Sequence, residues 1–467
     1  MNVTKGSRHR VSIEKFADKG KSIVRLDGLV VFVPGAVPGD EADIRIRRTK
    51  KKYAEADLES VVKKSELRTS PACRYFGSCG GCKWQHVDYA AQLEFKRQSV
   101  REAFEHTGGF ESTEVRPVLA AADTYLYRNK MEFSFSASRW LTKEEIASGR
   151  TFDKDFALGL HAPGQFAKVI DLEECHLQSE ESVRVVNLFR ALALKRKWKP
   201  WNTRTQEGLL RHLVIREGKR TGDRMVNLVL SRYDKEVLAV AADALAASEI
   251  PVSTFVVTIN DTPAQTALGD RVEVMTGTGR ISERLGGYEF QIGPQSFFQT
   301  NTVQAERLYE VARDFAELRP PHLLYDVYCG AGTIGIFLSA CAGRVVGIEA
   351  VPEAVGDARM NAGINGATNC TFVAGDVLKV LDEGFVSRHG RPDVVVVDPP
   401  RAGLHPRVIR KIKDLRARHI VYISCNPQTQ ARDIAMMSDA YRIDALQPVD
   451  LFPHTDHIEN VARLRIV

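Results

Sequence analysis

The sequence predicts a multidomain α/β protein with a Rossmann-like domain at its C-terminus. In residues 291–467, apolar strand-like runs alternate with helical stretches, which is typical of a doubly wound parallel sheet. Residues 1–66 hold short β-rich runs separated by Gly and Pro turn signals, and they predict a small OB-like barrel. Residues 67–290 mix both patterns, so we expect an α+β central domain there. A chain of 467 residues is too long for one ordinary core, which agrees with three domains.

The overall composition is that of a globular protein without a membrane span. Hydrophobic residues make up 44% of the chain and charged residues 27%. No apolar run approaches the roughly 18 residues of a membrane helix, and the N-terminus lacks the apolar segment of a signal peptide. We therefore expect a cytoplasmic monomer with no membrane partner.

The net charge of +6 is concentrated in one short segment of the predicted barrel. The residues of this basic segment are Arg45, Arg47, Arg48, Lys50, Lys51 and Lys52. Such a run is either the solvated face of an edge strand and its turn or a patch that contacts nucleic-acid phosphates. The charges alone leave both interpretations open.

Four cysteines have the pattern of a metal centre. Cys73, Cys79 and Cys82 lie within ten residues, and Cys175 is the obvious fourth ligand. Thiolates suit soft metals, so the set fits either zinc or an iron–sulfur cluster. Zinc ribbons usually pair two Cys-x2-Cys knuckles, whereas this chain has one, so the spacing favours a cluster. Disulfides are not expected, because no export signal is evident.

A glycine-rich turn in the C-terminal domain predicts a nucleotide-type cofactor site. The motif begins at Gly330, follows a predicted strand and opens a helix. Glu349 ends the next strand, where an acid can hold ribose hydroxyls, and Asp376 ends a further strand. The motif alone could serve a dinucleotide. No phosphate-binding lysine accompanies it, and its acidic surroundings favour S-adenosylmethionine.

A nucleophilic thiol is predicted at the same edge of that sheet. Cys425 ends an apolar β-branched run and precedes an Asn-Pro turn, and ligands of open α/β sheets gather at such strand ends. Asp398 and Arg401 lie between the two motifs as a polar clamp. Downstream, Glu459 is a candidate base, and Asp456 competes for that role. A zinc site formed by Cys425 with His454 and His457 is a further alternative, although it would occupy the nucleophile.

Five segments of the chain together resemble the RNA 5-methyluridine, or uracil-C5, methyltransferase family. They are residues 295–301, 326–335, 398–403, 424–433 and 452–459. The resemblance covers essentially the whole chain, although residues 110–290 match only in outline. The four cysteines and the N-terminal barrel resemble the branch of the family with a TRAM domain and a 4Fe–4S cluster. That branch acts mainly on 23S rRNA, so the resemblance implies this substrate, with tRNA as the alternative.

The resemblance also implies roles for individual residues. Cys425 adds to carbon 6 of uracil, and Glu459 removes the proton from carbon 5. The target base must leave its stack to reach the thiol. The cofactor contacts implied by resemblance and motif are Gln299, Tyr328, Gly330, Thr333, Glu349, Asp376 and Asp398, although several relatives carry Asn in place of Thr333. The expected RNA contacts are Phe298, Arg401, Arg128 and Lys130.

Two other functions fit parts of this pattern. An amino-group methyltransferase can use an Asp-Pro-Pro clamp, but such enzymes usually place an aromatic residue where Arg401 stands, and they need no cysteine. A non-catalytic RNA-binding protein with an inherited fold would be expected to lose Cys425 or Glu459, and both are present.

Overall fold

The computed structural model describes residues 3–467, with the backbone alone at Asp18, so Met1 and Asn2 of the predicted barrel lie outside it. The N-terminal segment forms one six-stranded sheet with the order β1-β5-β6-β4-β3-β2. Its strands are β1 (Arg8–Ser12), β2 (Lys15–Ala17), β3 (Lys21–Leu26), β4 (Leu29–Val33), β5 (Glu41–Thr49) and β6 (Tyr53–Lys63). Along β5, Ala42, Ile44 and Ile46 face the core and alternate with polar residues, as a strand with one buried face requires.

The central segment begins with helix α1 (Tyr89–His106) and continues as an eight-stranded sheet. The order of this sheet is β14-β13-β12-β11-β7-β9-β10-β8. Its strands are β7 (Lys130–Ser136), β8 (Arg139–Trp140), β9 (Ala157–His161), β10 (Val169–Asp171), β11 (Leu210–Glu217), β12 (Arg224–Leu230), β13 (Thr254–Ile259) and β14 (Arg271–Thr276). The helices between them are α2 (Lys143–Ala147), α3 (Glu180–Arg196) and α4 (Lys235–Ala247). A two-stranded sheet of β15 (Ile281–Leu285) and β16 (Tyr288–Ile292) follows.

The C-terminal segment forms a seven-stranded sheet with the order β19-β18-β17-β20-β21-β23-β22. The strands are β17 (Leu323–Val327), β18 (Arg344–Glu349), β19 (Cys370–Ala374), β20 (Val394–Val397), β21 (His419–Ser424), β22 (Tyr441–Val449) and β23 (Glu459–Ile466). The helices are α5 (Thr302–Ala316), α6 (Thr333–Leu338), α7 (Pro352–Ile364), α8 (Val377–Val380), α9 (Glu383–His389), α10 (Pro406–Asp414) and α11 (Pro427–Ala435).

This sheet is mixed, so the expected all-parallel sheet is wrong at its last strand. Strand β23 runs antiparallel to both β21 and β22. The connection from β22 to β23 spans only residues 450–458, and a parallel return needs a crossover of a dozen or more residues. The strand order reverses between β17 and β20, and a ligand crevice is expected at such a switch point.

The seven-stranded sheet is buried on both faces. In β20, Val394 and Val396 pack into the core on one side, while Val395 and Val397 pack into the core on the other. Helix α1 contributes to the second core through Val100 and further residues. Helix α1 falls within the predicted central domain, so the packing of the cores does not follow the predicted domain limits. The limits 1–66, 67–290 and 291–467 stay a prediction. Within residues 3–467, no helix is long and apolar enough to cross a membrane.

A buried ion pair fastens helix α1 to the connection between β22 and β23. Lys96 Nζ lies 2.6 Å from Asp450 Oδ1, and both side chains are inaccessible to solvent. The same ammonium donates to the carbonyl of Phe452 at 3.0 Å, and Tyr89 Oη donates to Asp450 Oδ2 at 3.0 Å. Each buried charge thus has a counter-charge and further hydrogen bonds, which it needs to offset its desolvation.

Replacement of Lys96 by Met should therefore destabilise the protein strongly, because it leaves Asp450 buried without a counter-charge. We expect the free energy of unfolding in urea to fall by about 3–5 kcal/mol. The double variant Lys96→Met/Asp450→Asn, which removes both charges, serves as the control and should recover much of that loss. Wild-type stability of the single variant would contradict a structural role for the pair.

Candidate active site

The predicted site residues lie at the carboxyl ends of neighbouring strands. Tyr328 follows β17, Glu349 ends β18, Asp398 follows β20 and Cys425 follows β21. These four strands are parallel, with β17 next to both β18 and β20, and β20 next to β21. Their carboxyl ends therefore meet at one edge of the sheet, beside the switch point.

Cys425 is half-buried among one cation and two carboxyl groups. Its pKa is raised to about 11, mainly by burial and also by Glu459 and Asp398. Arg401 opposes this rise through its charge and a hydrogen bond to the thiol. The structure thus gathers Cys425, Glu459, Arg401 and Asp398 in one place.

The two carboxyl groups of this site are strongly desolvated. Glu459 begins β23 and is 4% exposed, and burial raises its pKa well above the usual range. Asp398 raises that pKa further, while Arg401 lowers it. Burial also raises the pKa of Asp398, to about 7. Carboxyl groups with raised pKa values are suited to accept and release protons near neutral pH.

Asp456, the competing candidate base, is engaged elsewhere. Its Oδ1 lies 2.6 Å from Lys83 Nζ in an ion pair. Neither the thiol of Cys425 nor the carboxyl of Glu459 has Asp456 among the groups that shift its pKa. This geometry favours Glu459 as the base.

The loop that carries Arg401 is held by helix α11, which follows Cys425. Asn426 Nδ2 and Thr429 Oγ1 donate to the Arg401 carbonyl at 3.1 and 3.3 Å. The buried Asp433 carboxylate accepts from the backbone N–H of Leu404 at 2.6 Å. Gly403, at φ +77°, is required here because a Cβ would collide with that carboxylate. The nucleophile and the cation are therefore positioned by the same short helix.

The glycine-rich turn is organised by two acidic side chains. The backbone N–H of Gly330 donates to Glu349 Oε2 at 3.1 Å, and that of Gly335 donates to Asp326 Oδ2 at 2.8 Å. Asp326 is fully buried, and burial raises its pKa to about 7. Among the residues that the structure describes, none forms a hydrogen bond with its Oδ1. The sequence motif marked this turn but gave Asp326 no role.

Tyr328 lies between the acidic side chains expected to contact the cofactor. Its pKa is raised to about 12, mainly by burial and also by Asp376, Asp433 and Glu349. Its backbone has φ +67°, a conformation that is uncommon for a non-glycine residue. Asp376 itself is exposed and caps the short helix α8, accepting from Leu378 N at 2.8 Å.

Thr333 belongs to a buried pair of hydroxyl groups that sequence analysis missed. Its Oγ1 lies 2.9 Å from Tyr309 Oη on helix α5. Burial raises the pKa of Tyr309, and Asp398, Asp326 and Glu459 raise it too, so this phenol lies close to the acids of the site. In the sequence, Tyr309 has only the spacing of a core residue on an amphipathic helix.

The turn before α5 exposes a different aromatic ring from the expected one. Phe298 is 5% exposed and packs against Phe290, with ring centroids 6.0 Å apart. The ring open to solvent is that of Phe297, which is 68% exposed. Gln299 is buried, and its carbonyl accepts from Asn129 Nδ2 at 2.8 Å. The structure thus leaves Phe298 no surface for RNA.

Arg128 and Lys130, two of the expected RNA contacts, are only partly exposed. The ammonium of Lys130 pairs with Glu132 at 2.5 Å, and burial lowers its pKa. The guanidinium of Arg128 lies 5.8 Å from the ring centroid of Phe452, and its charge lowers the pKa of Cys82. Arg128 therefore lies close both to Cys82 and to Phe452, which belongs to the connection between β22 and β23.

The four predicted metal-binding cysteines converge as free thiols. Burial raises the pKa of each, to about 12 for Cys79 and about 11 for Cys82. Cys73, Cys82 and Cys175 all raise the pKa of Cys79 further, which shows that the four sulfurs interact. In residues 3–467, no group of three or more His, Cys, Asp or Glu side chains is placed so that it could hold a metal ion. This holds for the alternative set of Cys425, His454 and His457 as well.

Comparisons with known proteins identify the family of this chain. A family model described as tRNA (uracil-5-)-methyltransferase matches residues 221–465, and a TRAM domain model matches residues 2–58. The chain belongs to the tRNA (uracil-5-)-methyltransferase family. It is thus an RNA (uracil-C5-)-methyltransferase, and the predicted family and TRAM domain are confirmed. The amino-group methyltransferase and the non-catalytic protein are wrong as interpretations.

Relatives of this methyltransferase align with it from end to end. An uncharacterized RNA methyltransferase of Bacteroides thetaiotaomicron is 43% identical over 453 residues, covering 96% of this chain and 100% of that protein. One of Chlorobaculum tepidum is 42% identical over 466 residues, covering 98% and 96%. The solved tRNA (uracil-54, C5)-methyltransferase of Pyrococcus abyssi, in complex with S-adenosyl-L-homocysteine, has a TM-score of 0.75 at 30% identity. It covers 98% of this chain and is itself covered completely.

The raised pKa of Cys425 can be tested by alkylation. Since the thiolate is the reactive form, iodoacetamide labelling of Cys425 should accelerate by about tenfold per pH unit from neutral pH to about pH 10. At any one pH, Arg401→Ala should slow labelling because Arg401 lowers this pKa, and Arg401→Lys should preserve most of the rate. Mass spectrometry of the Cys425 peptide separates it from the other thiols. A labelling rate that levelled off below pH 9 would show that the thiol pKa is not raised.

Proposed function

We propose that this enzyme transfers a methyl group from S-adenosylmethionine to carbon 5 of a uridine in RNA, through a covalent bond between Cys425 and carbon 6. The observation that carries this proposal is the group of Cys425, Glu459, Arg401 and Asp398 at one sheet edge. It combines a nucleophile, a proton acceptor and a cation that favours the thiolate. Membership of the uracil-C5 family supports it independently.

The side chains have complementary roles in this chemistry. Carbon 5 of uracil is a weak nucleophile, and addition of Cys425 Sγ to carbon 6 turns the ring into an enolate that is nucleophilic at carbon 5. S-adenosylmethionine supplies the electrophilic methyl group. Glu459 then takes the proton from carbon 5, and the electrons of that C–H bond form the 5,6 double bond as Sγ leaves. Arg401 and Asp398 hold the uracil edge beside the thiol.

We propose that the cofactor lies over the glycine-rich turn. Glu349, whose Oε2 accepts from the Gly330 N–H, and the other acids around Tyr328 are carboxylate acceptors for the hydroxyl groups of an adenosyl moiety. Thr333, Gln299, Asp376 and Asp398 complete the proposed set. The complex of the Pyrococcus abyssi enzyme with S-adenosyl-L-homocysteine supports this choice of cofactor.

We also propose that Cys73, Cys79, Cys82 and Cys175 would hold a 4Fe–4S cluster. Four thiol ligands are soft donors of the kind that such clusters take. Cys73, Cys82 and Cys175 each raise the pKa of Cys79, so the four thiols lie near one another. Arg128, whose charge lowers the pKa of Cys82, would offset the negative charge of the cluster.

The substrate we favour is 23S rRNA, with tRNA as the second candidate. The four-cysteine set and the TRAM domain resemble the branch that modifies ribosomal RNA. The similarity to the tRNA (uracil-54, C5)-methyltransferase over 98% of the chain favours tRNA instead. Separate assays with 23S rRNA and tRNA transcripts, read by mapping of 5-methyluridine, distinguish the two.

Glu459→Gln should separate the two halves of the reaction. Attack by Cys425 and methyl transfer do not need the base, whereas proton removal does, so a methylated RNA–protein adduct should accumulate on denaturing gels. Cys425→Ala should give neither product nor adduct. Glu102→Gln is the control, since it removes a surface carboxylate that pairs with Lys15 at 2.8 Å. Normal turnover by Cys425→Ala would overturn the proposed function.

The cluster is tested by metal analysis of anaerobically purified protein. We expect a brown protein with about four irons per chain. Cys79→Ser should lose most of this iron, while Cys341→Ser, at a cysteine outside the set, should retain it. Colourless protein that contains one zinc ion per chain would contradict the cluster.

A further inference from the structure

The connection between β22 and β23 delivers Glu459 to the site, and it is held from outside its own sheet. The carbonyl of His454 accepts from the backbone N–H groups of Lys83 and Trp84, at 2.8 and 3.0 Å. Lys83 Nζ also lies 2.6 Å from Asp456 Oδ1. Lys83 directly follows Cys82, so the segment that carries Cys73, Cys79 and Cys82 (the cysteine segment) bonds to the connection five and three residues before Glu459.

The backbone of this connection has an unfavourable conformation at His454, and contacts with other segments stabilise it. His454 has φ +64°, which costs energy for a residue with a side chain and persists where the surroundings fix it. Its N–H donates to Gln92 Oε1 at 2.9 Å, and its ring lies 4.4 Å from that of Tyr125 between centroids. Tyr127 Oη donates to the carbonyl of Pro453 at 3.2 Å.

The other groups of the site are held differently. Cys425 and Asp398 follow strands β21 and β20, and the Arg401 loop is bonded to helix α11. None of these supports passes through Lys83. Loosening the connection should therefore move Glu459 while the nucleophile, Asp398 and Arg401 stay in place.

We propose that Lys83 is a positioning residue for Glu459, acting through its ion pair with Asp456 and its backbone bond to His454. The inference rests on the proposed function, because it concerns the proton-removal half of that reaction. In this proposal, contacts from the cysteine segment stabilise the position of the base, Glu459. Loss of the ammonium should slow proton removal from carbon 5 and leave addition of Cys425 and methyl transfer nearly unchanged.

Lys83→Met tests this inference, because it keeps the length and apolar character of the stem and removes the charge. In single-turnover assays of the full chain, formation of the methylated adduct should stay within about twofold of wild type. Release of product should slow by about tenfold to a hundredfold, the effect expected of a misplaced catalytic group. Adduct should then accumulate, and hydrogen exchange of residues 450–458 should accelerate.

Three further variants make the result specific. Asp456→Asn removes the partner charge with little change in shape and should give the same accumulation, and the double variant should add little to either single one. Lys15→Met is the matched control, because Lys15 forms a surface ion pair with Glu102 at 2.8 Å, away from this connection. It should behave as wild type. Iron content should be equal in all four proteins.

The inference is overturned if Lys83→Met and Asp456→Asn release product at the wild-type rate. It is also overturned if both halves of the reaction slow equally, or if Lys15→Met accumulates adduct to the same extent. Failure of the proposed function looks different, since wild-type protein would then form product without any adduct that depends on Cys425.

Discussion

The desolvation of Asp398, Glu459 and Cys425 at one sheet edge is the constraint on which the rest of this structure depends. Each of these groups is less stable when charged, as their raised pKa values show, and Arg401 is the cation that opposes the effect at Cys425 and Glu459. The side chains of Asn426 and Thr429, at the start of helix α11, donate to the Arg401 carbonyl and so fix the backbone that carries this charge.

The segments before the catalytic sheet are structural parts of the site. Helix α1 fills one of the two cores of that sheet, and its Lys96 neutralises Asp450 at the start of the β22–β23 connection. Gln304 of helix α5 donates to the carbonyl of Asp450 at 3.0 Å, so the connection is held from both sides. Together these contacts fix the β22–β23 connection and, through it, the position of the buried carboxyl of Glu459.

The sequence predicted what is encoded locally and missed what depends on distant contacts. The glycine-rich turn and the strand end at Cys425 follow from short patterns, and each lies where expected. The pairing of Lys83 with Asp456 joins residues 373 positions apart, and no local pattern indicates it. Adjacent Phe297 and Phe298 are equivalent in composition, and only packing against Phe290 decides which is buried.

Ion pairs neutralise part of the basic segment of the TRAM domain. Strand β5 lies beside an acidic strand, so Arg45 pairs with Glu59 at 3.3 Å and Arg47 with Glu55 at 3.0 Å. These exposed pairs partly neutralise the strand, which matches the interpretation as a solvated face. Residues 50–52, three exposed lysines at the β5–β6 turn, lie beyond this acidic strand and are better placed to contact phosphates. The ion pairs therefore support a solvated face for the arginines of β5, and we propose residues 50–52 as the phosphate contacts.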